Sequence, residues 1–309
     1  GGGQPFADAD EDGYEVVIQP DPSVLDGRFS NNAWMQETPD PITKLVWDNV
    51  AVMSSHTATE LGVEVNYDAG YYNADMVRLT AGDESDSIEL PVWIQPGFPD
   101  GTIGLQTGYG RNLDAGQVGG DKGWFRELTD AYKSVYNGEP LANGVGTNVA
   151  RLLGDNLRRV LTGVAAEKTG EGYMLASTQE HGSMEGRPIV RRASIEDYRE
   201  NPDFAEDAVH TLPNGEPWEE YPTLWEEDHP TDTPAYEDSD FHENQWGMAI
   251  DLNTCTGCNA CMVACQSENN VQVVGKEQVA KGREMHWLRV DRYYVTPGGE
   301  GGHGGSSSE

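Results

Sequence analysis

Cys255-Thr-Gly-Cys258-Asn-Ala-Cys261-Met-Val-Ala-Cys265 holds every cysteine of the chain, in the spacing C-x2-C-x2-C-x3-C. Thiolates so spaced wrap a backbone around an iron–sulphur cube, and Gly257 with the small Ala260 and Ala264 lets the chain approach the inorganic sulphurs. Structural zinc is the competing reading, but zinc usually takes two cysteine pairs separated by a longer loop. In two-cluster ferredoxins the first three cysteines of such a run bind one cluster and the fourth ligates the other. On that reading Cys255, Cys258 and Cys261 need a fourth ligand from elsewhere, and Cys265 needs three companions. These residues are therefore expected to be part of a longer polypeptide. The alternative, one cluster on all four, is geometrically harder, because Cys265 is expected on the helix that leads away from the cube.

The 309 residues carry 20 Lys plus Arg against 53 Asp plus Glu, a net charge of −33. That balance argues against nucleic acid or an anionic membrane surface as a partner. It fits a strongly solvated surface of the halophilic kind, whose self-repulsion salt screens. No run of about 18 apolar residues occurs, so no direct membrane span is expected. No Ser/His/Asp set or carboxylate pair is readable, and no side chain is assigned a catalytic role. His181, His210, His229 and His242 are too scattered to make a metal set.

Ahead of the cysteines the chain reads as short strands between turns. Tyr14 to Gln19 is β-branched and aromatic and ends at Pro20. Asn49 to Ser54, Asp75 to Thr80, Ser87 to Gln95 and Thr102 to Gln106 follow, with helical turns at 57–62 capped by Ser55 or Thr57 and stopped by Gly62. This is the pattern of a small mixed barrel, mainly β with α+β elements. Leu128 to Tyr136 has helical spacing, and Leu113 to Asp121 reads as a polar turn. From Ala193 to Gln245 the chain is acidic and proline-rich, with aromatic anchors at Trp218, Tyr221, Trp225, Tyr236 and Phe241. Within it Ser194 and Asp197 predict one capped helical turn. Trp246 to Asp251 predicts a strand and Ala260 to Asn269 a helix. Lys276, Lys281, Arg283, Arg289 and Arg292 form the one locally basic patch. It suits either an anionic cluster nearby or ion pairing with the acidic segment.

The series Asp26-Gly27, Asn31-Asn32-x-Trp34-x-Gln36-Glu37, Pro39-Asp-Pro-Ile-Thr-Lys44, Trp47-Asp-Asn49, Asp75-Met-Val77, Pro91-Val-Trp93 and Gly108-Tyr-Gly-Arg111 resembles the molybdopterin-dinucleotide-binding domain of DMSO-reductase-type oxidoreductases. That resemblance implies a double-psi β-barrel. Further on, Glu180-His-Gly-Ser-Met-Glu-Gly-Arg-Pro-Ile-Val190, Gln245-Trp-Gly-Met-Ala-Ile-Asp251 with the cysteine run, and Val274 to Arg289 are similar to the fused iron–sulphur subunit of bacterial alternative complex III, a membrane-bound quinol-oxidising respiratory complex. Gln266 follows the last cysteine, where simple bacterial ferredoxins have proline.

Residues 1–13, glycine-rich and acidic, read as a linker or disordered entry, and the resemblance implies 14–165 as the barrel. By composition 166–244 reads as an acidic, Pro-rich extended linker and 298–309 as a Gly/Ser-rich linker, and the resemblance implies 245–297 as a partial 4Fe–4S ferredoxin-type domain. It carries Asn32, Gln36 and Arg111 over as positions of a vestigial pterin groove, expected to hold no molybdenum and to have structural roles. Cys255, Cys258, Cys261 and Cys265 are the implied metal ligands. The implied partners are quinol-oxidising membrane subunits and cytochrome c subunits, with a cytochrome c or high-potential iron–sulphur protein as acceptor, on the periplasmic side of the inner membrane. A catalytic molybdopterin reductase and a cofactor-free assembly scaffold are the competing classes.

Overall fold

The strand β1, Tyr14–Pro20, buries Val16 and Ile18 and turns Glu15 and Gln19 to solvent, the alternation of a strand with one face on a core. A computed structural model of the chain describes residues 13–68, 71–82, 87–111, 141–153, 157, 159–185, 189–190, 193–204 and 248–295. These fall into two units. One is the chain up to Glu180 together with Gly257–Arg292, and the other is His181–Thr256 with the residues from Tyr293 onward.

In the first unit β1 is followed by α1 (Ala33–Gln36), β2 (Leu45–Val46), β3 (Ala51–Met53) and α2 (Ser55–Leu61). The Ser54 side chain accepts from the Thr57 N–H, and Gly62 ends α2 at φ 66°. The cap thus lies one residue before the earlier of the two expected positions, and the glycine stop is where the sequence put it. Then come β4 (Val65–Asp68), β5 (Tyr71–Thr80), β6 (Ser87–Ile94), β7 (Thr102–Thr107), a 3-10 turn at Val149–Leu153 and β8 (Val160–Ser177).

Among the described residues six of these strands close on themselves. β1 pairs parallel with β7, β7 antiparallel with β3, β3 parallel with β6, and β6 antiparallel with β5. β5 then pairs antiparallel with β8, and β8 returns to β1. A closed ring leaves no strand edge to template aggregation. The register sets Val16 beside Ile103 and Ile18 beside Leu105, so apolar side chains meet inside. Val16, Met53, Val77, Leu79, Leu90, Val92, Ile103 and Leu175 are completely buried in that interior. β4 extends from β5, and β2 pairs with the far end of β8.

The boundary expected at 165 falls inside β8. Residues 166–168 and 172–177 are ladder residues, from Ala166 opposite Leu79 to Ser177 opposite Leu45, with a register shift between the two runs. Gly163, Gly170 and Gly172 and the run Glu167-Lys168-Thr169 give this strand a loop's composition, and its order comes from pairing with β1, β5 and β2 in turn.

After β8, α3 (Ile195–Glu200) belongs to the second unit and carries the expected capping box, with Ser194 and Asp197 bonding each other's backbone N–H. α4 (Ala260–Glu268) and α5 (Lys276–Val279) belong to the first unit. In the strand expected at 246–251, Met248 to Asp251 form no ladder pairing, and 246–247 lie outside the described residues. So do the turn at 113–121, the helix at 128–136 and the aromatic anchors from Trp218 to Phe241. No helix among the described residues is long and apolar enough to cross a membrane.

Candidate functional site

The loop between α1 and β2 is where the barrel meets the cysteine-bearing segment. Asp40 fixes this loop from within: its Oδ1 accepts from the N–H groups of Ile42 (2.9 Å) and Thr43 (2.8 Å). Its Oδ2 accepts from Gln106 Nε2 on β7 at 2.8 Å, which ties the loop to the ring. Asx turns of this kind hold a loop rigid without a ladder.

Residues 257–292 are fastened along that loop by polar bonds far apart in sequence. Asn259, between Cys258 and Cys261, donates from Nδ2 to the Pro39 carbonyl at 2.7 Å. Trp34 Nε1 donates to the Val271 carbonyl at 2.7 Å. The Glu37 carboxylate, 1% exposed, accepts from Trp47 Nε1 (3.1 Å), the Val274 N–H (3.1 Å) and the Gly275 N–H (2.8 Å). Burial pushes the Glu37 carboxyl above the usual range, and those three donors oppose the shift.

Lys276 Nζ stands 2.6 Å from Asp48 Oδ2 and 4.0 Å from the centre of the Tyr173 ring, whose hydroxyl donates to Asp48 Oδ1 at 2.7 Å. Burial pushes Asp48 up to about 6, with the Lys276 ammonium as the main opposing influence. Arg289 donates to the Thr178 carbonyl, and Arg292 Nε to the Ile42 carbonyl at 2.8 Å. Lys276, Arg289 and Arg292, three of the five residues of the basic patch, thus bind the barrel. An apolar seam runs underneath, where Val279 and Ala280 pack with Val46, Trp47 and Ala176.

Cys258, Cys261 and Cys265 lie in this segment, and Cys255 belongs to the second unit. All four are thiols, none in a disulfide, and all but the half-buried Cys265 are exposed. Cys261 and Cys265 are one turn apart on α4 and share a helix face. Gly257 and Asn259 take left-handed backbone at φ 70° and 60°, so the chain turns on both sides of Cys258. Asn269 Nδ2 donates to Cys265 Sγ at 3.5 Å. Among the described residues no three His, Cys, Asp or Glu side chains are gathered for a single metal ion. Within the first unit Cys258, Cys261 and Cys265 are accessible or half-buried thiols on one loop and helix, a donor chemistry that fits a thiolate-ligated cluster.

The three groove positions separate. Arg111 lines a cavity of about 260 Å³ with Gln19, Asp26, Gly108, Asn148 and Arg159. Gly110 is needed beside it, since a Cβ there would stand 2.0 Å from the Asn148 nitrogen. Asn32 caps α1 by accepting from Trp34 N–H at 3.0 Å. Gln36 is buried, donates to the Ser30 carbonyl at 2.9 Å, and leaves its Oε1 without a partner. Neither Asn32 nor Gln36 lines the cavity. The sequence reading missed Glu37, Asp40 and Asn259 as site residues. Only Asn259 had a local signal, being a residue tolerant of left-handed backbone set between closely spaced cysteines.

No family model matches the chain. Over 46 residues, 15% of this chain and 18% of the other, it is 52% identical to the menaquinone reductase iron–sulphur cluster-binding subunit of Nitratidesulfovibrio vulgaris. Over 26 residues, 8% of this chain and 87% of the other, it is 58% identical to the arsenate respiratory reductase iron–sulphur subunit ArrB of Chrysiogenes arsenatis. The chain belongs to the iron–sulphur subunits of oxidoreductases. As such a subunit it carries an iron–sulphur cluster. This iron–sulphur subunit spans 18% of the length of its menaquinone reductase relative.

Proposed function

We propose that this subunit passes single electrons within a membrane-bound quinol:acceptor oxidoreductase of the alternative complex III type. The observation that carries the reading is that three of the four cysteines sit on a loop and helix built onto a closed six-stranded barrel by buried polar bonds. A ferredoxin module independent of the barrel would need no such fastening. The ring's mixed parallel and antiparallel pairing is compatible with the double-psi barrel of pterin enzymes, and the likeness to a menaquinone reductase subunit supports a quinone-linked partner.

On this reading the four cysteines hold 4Fe–4S clusters, which when bound take up and return one electron at a time. The chain's own part is to hold the thiolates in place and keep the cluster region docked on the barrel. Electrons enter from quinol-oxidising membrane subunits and leave, by way of cytochrome c subunits, to a cytochrome c or high-potential iron–sulphur protein on the periplasmic side. The barrel is then a scaffold without molybdenum.

A second reading, a catalytic molybdopterin reductase, is favoured by the cavity in which Arg111 and Arg159 present cationic side chains beside Gly108. Iron, sulphide, molybdenum and extracted pterin, measured on the intact purified complex, separate the two. Iron and sulphide without molybdenum are expected. Molybdenum with pterin would establish the second reading, and neither metal would leave an assembly scaffold.

A further inference from the structure

Asn259 supplies one of the links between the barrel and the cysteine loop. β7 presents Gln106 to Asp40, Asp40 fixes the turn that follows Pro39, and the Pro39 carbonyl accepts from Asn259. Asn259 is 2% exposed, and its partner lies 220 residues away in sequence. Its backbone is left-handed, which costs a residue with a Cβ some strain, least for Asn and Asp. Its Oδ1 is buried without a hydrogen-bond partner. A buried, half-satisfied amide in a strained turn is an expensive choice for a loop that only has to change direction, since glycine turns as readily with neither cost.

We propose that Asn259 is a positioning residue for the cluster. Its amide anchors the Gly257–Cys258–Asn259 turn to the barrel and so fixes the direction in which Cys258 presents its thiolate relative to Cys261 at the start of α4. This rests on the cysteines binding a cluster. The barrel thereby acts as an outer support of the metal site, the place where residues behind the ligands hold their orientation. Losing the anchor leaves the turn intact and the thiolate loosely held, so the cluster is lost faster from a barrel that is unharmed.

Two substitutions in the complete complex separate anchor from turn. Asn259→Gly keeps the left-handed turn and removes the side chain. Asn259→Asp keeps size and tolerance of the turn but replaces the donor with an acceptor facing the Pro39 carbonyl. Both are expected to release iron to a chelator about tenfold faster than the unaltered complex, the effect of one lost hydrogen bond. Both are also expected to broaden the reduced-cluster EPR signal while leaving the melting of the barrel unchanged. Release at the unaltered rate from either variant overturns the proposal. If Asn259→Asp fails to assemble, Gln106→Leu cuts the link behind Asp40. Faster release then supports the anchor, and an unchanged rate overturns it. An unaltered complex without iron or sulphide would instead defeat the reading of the cysteines, and the proposal with it.

Discussion

The closed ring and the segment 257–292 lie in the same unit but are held by different physics. The ring encloses an apolar interior contributed by its own strands, with Leu79, Leu90, Ile103 and Leu105 at 0–1% exposure. The segment buries little on its own account, chiefly Met262, Val271, Val279 and Ala280, and fastens itself by polar bonds to Pro39, Glu37, Asp48 and Thr178. Burial of apolar area contributes stability in proportion to what is covered, so the ring is stable by itself and the segment takes its order from the ring. This division places Cys258, Cys261 and Cys265 on a segment that the ring supports.

The hardest test of the contrast is Leu79→Ala in the ring. Deleting a fully buried leucine costs about 2–5 kcal/mol. Because the segment depends on the ring, both should unfold together at a lower denaturant midpoint. Separate transitions, with the segment unmoved, would break the asymmetry.

Glu37→Ala tests the opposite side. It strips the Val274 and Gly275 N–H groups and the Trp47 indole of their acceptor. Each stranded donor costs about 1–3 kcal/mol, and relief of the buried carboxylate offsets part of the sum, for a net of about 2–3 kcal/mol. Hydrogen exchange should quicken across 271–280 and stay slow in β5 and β6.

Much of the ring was legible beforehand, because β1, β3, β5, β6 and β7 are short runs of strand-forming residues set between turn signals, and α4, which carries Cys261 and Cys265, lies where the sequence predicts a helix. β8 was not, since its glycines and charges read as linker and only its three partners make it a strand. The fastening was illegible for a related reason. Glu37, Asp40 and Asn259 act on groups up to about 240 residues distant, and a carboxylate or amide announces nothing of a partner so far along the chain. The basic patch was visible as composition, but its use, gripping barrel carbonyls and Asp48, was not.

A gentler probe is pH. His286 is held neutral by burial, with Arg289 adding to the effect, and its pKa falls to about 4 from an ordinary 6.5. Its folded value lies below its unfolded one, so the unfolded chain binds the proton more readily. Stability is therefore lost as pH falls from about 6.5 toward about 4. Asp21 and Asp48, both raised to about 6, act in the opposite sense over the same window. His286→Gln should remove only the histidine's share, so that between about pH 7 and about pH 4 its melting temperature falls less, or rises more, than that of the unaltered protein. An identical pH response in both would mean that the imidazole is not buried as described.

The smallest effect belongs to Arg78, which bridges Glu89 and Glu167 across β5, β6 and β8 on the outside of the ring. All three side chains are exposed, and Arg78→Ala should lower the melting temperature only slightly, less still in molar salt. A larger loss would mean that the outside of the ring matters as much as its interior.

The account stands most directly on turnover from quinol to acceptor in the purified complex, normalised to subunit content. Arg111→Ala, which alters only the cavity, is predicted to leave turnover close to that of the unaltered complex. Cys258→Ala is predicted to abolish it, because one missing cluster interrupts every electron that passes through the subunit. Turnover abolished by Arg111→Ala in a well-assembled complex and retained by Cys258→Ala would contradict both the scaffold role of the barrel and the electron-carrying role of the cysteines.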